Sequence, residues 1–101
     1  MLVEFSIVPL GAGSSISDKV SEVLKLVDAS GLPYKVNPMG TVVEGEWDAV
    51  MRLIKKCHAA IRKHEERVMT RIVIDDRKGR SDMLSSKIRS VEKKIGKTLP
   101  R

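Results

Sequence analysis

The chain reads as one α+β domain: a four-stranded antiparallel sheet with two long helices on one face and an extra helix at the C-terminal end. Two observations carry this. Apolar periods of two and of about 3.6 alternate along the chain in the order β-α-β-β-α-β-α. The third and fourth segments of that order meet at a Pro-Met-Gly turn, Pro38 to Gly40, so they form a hairpin.

Leu2 to Pro9 is the first strand. Val3, Phe5 and Ile7 share one face; Glu4, Ser6 and Val8 share the other. Pro9 has no N–H and ends the ladder, and Gly11 to Ser14 is a loop. Ser15 and Asp18 have capping-box spacing and open a helix. Its apolar positions are Ile16, Val20, Val23, Leu24 and Val27, and Gly31 and Pro33 stop it. Tyr34 to Asn37 and Thr41 to Glu46 form the hairpin. Trp47 to about Glu66 is the second helix, with Trp47, Val50, Met51, Ile54, His58 and Ile61 on its apolar stripe. Val68 to Asp76 is a long strand: Val68, Thr70, Ile72 and Ile74 face one way, Met69, Arg71, Val73 and Asp75 the other. Asp82 to Ile95 is the third helix, with Leu84, Ile88, Val91 and Ile95 inward and Gly96 as its stop.

The first six elements are two β-α-β halves joined by a hairpin, the ferredoxin-like or split β-α-β arrangement. Right-handed crossovers place both long helices on one sheet face. No repeat, low-complexity segment or linker interrupts residues 1 to 101, so a single domain is expected.

The composition constrains this domain. One Phe, one Trp and one Tyr leave a core of Val, Ile, Leu and Met. A small chain with so few aromatics gains burial by self-association. Cys57 is the single cysteine, so no intrachain disulfide can form. Met1 leads straight into a strand-length apolar stretch, and no run reaches the ~18 apolar residues of a membrane span. A reducing, cytoplasmic setting is expected. The net charge of +6 permits a polyanionic partner without requiring one, and the 32% of charged residues also suits an ion-pair-rich surface.

The helices cover one face of the sheet. The other carries Glu4, Ser6, Val8, Met69, Arg71, Val73 and Asp75, too apolar for simple solvation and too polar for a core. Either its apolar members are ordinary exposed residues, or the face packs on a second sheet and its polar groups line a space between them. The second reading is preferred. Thr41 and Glu44 have opposite parity; a bulge near Gly40 or Gly45 would bring both toward one site.

Most catalytic patterns are absent. Cys57, His58 and His64 lack zinc-ligand spacing. Ser85-Ser86-Lys87 lacks the Ser-x-x-Lys spacing, and His58 adjoins Cys57 on a helix without facing it. No metal, cofactor or enzyme activity is expected. Gly11 to Ser15 follows a strand and opens a helix, but lacks the Walker Lys and the third dinucleotide Gly; an ordinary capped turn accounts for it. The basic residues Arg52, Lys55, Lys56, Arg62, Lys63 and Arg67 lie mostly off the second helix's stripe. Lys87, Arg89, Lys93, Lys94 and Lys97 do the same on the third, and Arg77 to Arg80 adds a basic loop. Solvated faces explain them, and a nucleic-acid-binding module is the alternative. An RNA-reading sheet of this topology needs aromatics on its central strands; Phe5 faces the helices and the last strand has none. Glu4, Ser6, Asn37, Thr41, Glu44, Arg71 and Asp75 supply donors, acceptors and negative charge for a small cationic or heteroaromatic ligand. Cross-strand pairs such as Glu4 with Arg71 explain some of them equally well.

Three segments carry a resemblance: Ser6 to Gly11 (SIVPLG), Met39 to Glu46 (MGTVVEGE) and Arg71 to Arg77 (RIVIDDR). Together they resemble the small thiamine-binding, YkoF-like proteins, over nearly the whole chain. The Gly-Thr-x-x-Glu-Gly segment is the most specific part. The resemblance implies a ferredoxin-like fold whose sheets pack face to face, in dimers assembled into a tetramer. It implies binding of thiamine or its hydroxymethylpyrimidine portion rather than catalysis. Carried onto matching positions, it implies Ser6, Thr41 and Glu44 as ligand contacts: a carboxylate for the thiazolium or the aminopyrimidine amine, hydroxyls for ring nitrogens. Asn37, Arg71 and Asp75 join them by placement. A structural or regulatory assembly module without a ligand is the remaining alternative.

Overall fold

A computed structural model describes residues 1–11, 16–79 and 83–99. The elements are β1 (Leu2–Pro9), α1 (Ile16–Ala29), β2 (Tyr34–Asn37), β3 (Gly40–Glu44), α2 (Trp47–Arg62), β4 (Val68–Asp75) and α3 (Met83–Ile95). The four strands form one antiparallel sheet in the order β2-β3-β1-β4, the ferredoxin-like topology with an added C-terminal helix. The expected cap of α1 at Ser15, the loop from Ala12 to Ser14, Arg80 and the helix start at Asp82 lie outside the described residues.

The register assigns the faces. Val3 lies opposite Val43 and Ile74, and Phe5 opposite Thr41 and Ile72. These residues face α1 and α2. Their neighbours face the other way: Leu2 with Glu44 and Asp75, Glu4 with Val42 and Val73, Ser6 with Arg71. The core forms where the helices meet the middle of the sheet, around Val3, Phe5, Val27, Val43, Val50 and Ile61.

Four expectations are corrected. The buried stripe of α2 is Val50, Leu53, Ile54, Cys57 and Ile61. This i, i+3, i+4, i+7, i+11 set is rotated from the expected one, so Met51 and His58 fall on its flank and Trp47, in the first turn, is 53% exposed. The helix also stops at Arg62, four residues early; the Arg62 guanidinium donates to the Glu65 carbonyl across the turn that follows (3.1 Å). Ile72 and Ile74 point toward the helix side yet are exposed, because β4 is an edge strand that the helices only partly cover. In α3, Leu84 and Ile88 are half-buried, whereas Val91 and Ile95 are exposed. That helix touches the sheet at β3 and then leaves it.

Candidate functional site

The hairpin lies beside β1, and Gly40 lets it do so. A Cβ on Gly40 would stand 3.0 Å from the Phe5 carbonyl oxygen, tighter than nine in ten real Cβ contacts. At the other end Gly45 continues the ladder: its N–H donates to the Met1 carbonyl (3.1 Å) and the Met1 ammonium donates to its carbonyl (2.8 Å). β3 therefore pairs without interruption from Gly40 to Gly45, and the bulge considered from the sequence is absent. Thr41 and Glu44 stay on opposite faces, about 10 Å apart along the strand.

The helix-side placement of Thr41 opens a cleft of about 220 Å³ between α1 and the hairpin. Its walls are apolar: Phe5, Ile7 and Val8 of β1, Val20, Val23 and Leu24 of α1, and Val36, Pro38 and Met39 of the hairpin. Its polar lining residues are Ser6, Asn37 and Thr41. Among the described residues Thr41 is the only buried polar residue, 8% exposed. Its hydroxyl makes no hydrogen bond to another described residue. The two walls are tied together beyond the cleft, where the Tyr34 hydroxyl donates to the Asp28 carboxylate (3.0 Å). That hydrogen bond, then the charge on Asp28, pushes the phenol above its ordinary range.

Ser6, Asn37 and Thr41 all border this cleft, but only Thr41 is on the helix side: Ser6, opposite Arg71, and Asn37, opposite Gly40, register on the open face, and the other three candidates lie elsewhere. Glu44 lies across the sheet, where its carboxylate accepts from the Leu84 backbone N–H at the start of α3 (3.3 Å). A carboxylate there satisfies a first-turn donor and complements the helix dipole. Asp75 stands in the same row, opposite Leu2. Arg71 is exposed on the open face, opposite Ser6 and diagonal to Glu4. The apolar wall from α1 was missed in the sequence reading, which assigned Val20, Val23 and Leu24 to core packing alone. Only Val23 is buried, and Val20 is exposed at the cleft mouth.

Other features have structural roles. Cys57 is buried and its thiol is pushed up from 9.0 to about 11 by desolvation, which keeps it protonated and unreactive at neutral pH. His58 Nδ1 lies 2.6 Å from the Thr70 hydroxyl, joining α2 to β4. The basic residues of α2 named above are exposed. Phe5 is 2% exposed and turned away from the open face, so the sheet offers no aromatic for base stacking.

The fold is that of a ferredoxin-like protein with a mostly apolar cleft between α1 and the hairpin. Residues 3–92 match the thiamine-binding protein family, and the chain belongs to it. Similar proteins include the UPF0045 protein MJ1052 of Methanocaldococcus jannaschii, 31% identical over 90% of this chain and 91% of the relative. A UPF0045 protein of Mycobacterium tuberculosis is 36% identical over 92% of each chain. The crystal structure of MJ1052 superposes with a TM-score of 0.81, covering 89% of this chain and 93% of that one. A protein of Thermotoga maritima described as a putative thiamine biosynthesis/salvage protein superposes at 0.78, covering 89% and 96%; at 21% identity it shares the fold. Among the described residues no helix is long and apolar enough to cross a membrane.

Proposed function

We propose that this chain is a non-catalytic, cytoplasmic binding protein for thiamine or its hydroxymethylpyrimidine portion, with the ligand held in the α1–hairpin cleft. The observation that carries this reading is Thr41. Thr41 is the one buried polar residue among those described, and it lines an apolar cleft bordered also by Ser6 and Asn37, so its hydroxyl can meet a ligand there at little desolvation cost. An aminopyrimidine presents ring nitrogens and an amine that such groups can meet. Family membership and the salvage description of the Thermotoga protein agree with it. Thr41→Val keeps the shape and removes the hydroxyl. Calorimetric titration with thiamine and hydroxymethylpyrimidine should show saturable heat for the parent protein and about tenfold weaker binding for the variant, the loss of one hydrogen bond. Heat that is identical for both would remove Thr41 from the site; none for either ligand at millimolar concentration would refute the function.

The open sheet face supports self-association as a dimer or tetramer. Val8 and Met69 are paired and exposed on it, and Val73 is exposed beyond the Ser6–Arg71 pair, apolar surface that a second sheet could cover.

A further inference from the structure

We infer that a groove between α1 and α2 is a further binding site, for a carboxylate that carries one ring or a short acyl chain. It shares no lining residue with the α1–hairpin cleft.

The groove holds about 190 Å³ and lies where the end of α1 passes the first half of α2. Leu26, Leu32 and Leu53 supply its apolar lining. Leu53 is buried, and Leu26 and Leu32 are half-buried. Ala29 of α1 and Ala49 of α2 also line it, and their small side chains leave the space that longer ones would fill. Leu32 is fixed from two directions. Its N–H donates to the Ser30 hydroxyl (3.2 Å). Its side chain packs over Gly45, where a Cβ would stand 3.1 Å from Leu32 Cδ2. An apolar cavity of ~150 Å³ takes a benzene ring, so the groove has room for one ring or a short chain.

The polar lining decides the class of ligand. It consists of Ser30, Arg52 and Lys56. Ser30 is spent within the chain: its hydroxyl donates to the Val27 carbonyl and accepts from the Leu32 N–H. Arg52 and Lys56 are four residues apart on α2 and so stand on one side of it. Both are exposed, and neither makes an ion pair or a side-chain hydrogen bond with another described residue. The acids of the two helices nearest in sequence, Glu22, Asp28 and Asp48, are not in the lining. The Asp28 carboxylate accepts from the Tyr34 hydroxyl. The last carbonyls of α1, which would repel an anion, are occupied as well. Those of Leu26 and Val27 accept from the Ser30 N–H, and that of Asp28 accepts from the Gly31 N–H.

The lining side chains therefore offer two cations over leucines, and no carboxylate or amide. Lys and Arg only donate, and the planar guanidinium fork matches a carboxylate with two parallel hydrogen bonds. A neutral ring would leave both cations without a partner. A bare anion would leave the leucines without one. A carboxylate with an apolar body meets both.

The test follows backbone amide shifts of the isotope-labelled full chain with three probes: phenylacetate, its neutral amide phenylacetamide, and acetate. The expected result is a saturable set of shifts with phenylacetate confined to residues 26–32 and 49–56, with a millimolar Kd, as suits a ligand of about ten heavy atoms. The amide and acetate should each bind at least about tenfold more weakly, and added salt should weaken phenylacetate. Arg52→Gln should lower phenylacetate affinity by about tenfold. Ala29→Leu, at the exposed end of α1, fills the groove and should abolish the shifts, with its circular dichroism and melting temperature as in the parent. Equal affinity for phenylacetate and its amide overturns the proposal. So do equal affinity for acetate, shifts centred on other residues, full binding by folded Ala29→Leu, or no saturable shift at millimolar concentration. The probes and residues differ from those of the α1–hairpin cleft, so each of these failures is distinct from a failure of the thiamine-related reading.

Discussion

Thr41 shows how a strand residue's chemistry is legible in the sequence while its face depends on the pairing around it. Its hydroxyl was recognisable as a candidate contact from the Gly-Thr-x-x-Glu-Gly segment. Its face follows from strand parity alone once the ladder is known to be continuous. The bulge that would have reunited it with Glu44 is excluded by Gly45, which pairs with Met1. Gly40 gives a sharp test. Its φ is not left-handed; what crowds a side chain is the Phe5 carbonyl oxygen, 3.0 Å from where a Cβ would stand. Gly40→Ala should lower stability by about 1–3 kcal/mol, the usual cost of overpacking, read as a lower urea midpoint, and should weaken ligand binding by moving the hairpin. An unchanged midpoint would show that the hairpin does not need this close approach.

Cys57 supplies a pH test at the same level. Its thiol holds its proton to about 11 in the folded chain, against 9.0 ordinarily. Below 9 the group adds no pH dependence. Between 9 and 11 the unfolded chain releases the proton and the native chain does not, so stability falls as pH rises through that window. A Cys57→Ser variant should lack that part of the alkaline decline, and the parent thiol should resist aromatic disulfide reagents at pH 8 until denaturant is added. Rapid labelling of the native protein would contradict the burial.

The elements differ in how far their apolar patterns reveal them. β1 was legible from end to end, because period-two alternation and Pro9 leave one register. α2 was legible as a helix but not in its rotation. Trp47 and His58 look like stripe residues, and nothing local says that Leu53 and Cys57 lie deeper. Ile61→Ala, in the true stripe, should cost about 2–5 kcal/mol, whereas Trp47→Ala should cost far less because half of that side chain is already in solvent. Equal melting losses for the two variants would contradict the rotation described. The exposure of Ile72 and Ile74 was not legible either. Edge position depends on strand order, which arises from long-range pairing rather than from β4 itself. The cleft escaped notice for the same reason: α1 meets the hairpin only in three dimensions, and the α1 residues beside it carry no chemical signature.

The molecule as a whole is extended. Its radius of gyration is 15.0 Å and its longest dimension 46 Å, where a compact chain of this length has a radius near ~13 Å. The extension, the exposed half of α3 and the apolar open face all fit a chain that completes its burial against copies of itself. Analytical ultracentrifugation should give a multiple of 11.2 kDa. Val73→Lys, on the open face, should reduce that mass while leaving the far-ultraviolet spectrum unchanged. A monomeric parent would refute self-association without touching the cleft.

The site itself is tested by titrating isotope-labelled protein with hydroxymethylpyrimidine and following backbone amide shifts. The expected result is a saturable set of shifts confined to residues 5–8, 20–24 and 36–41, the walls of the α1–hairpin cleft. Shifts centred instead on Glu44, Asp75 and the start of α3, or none up to millimolar ligand, would contradict it.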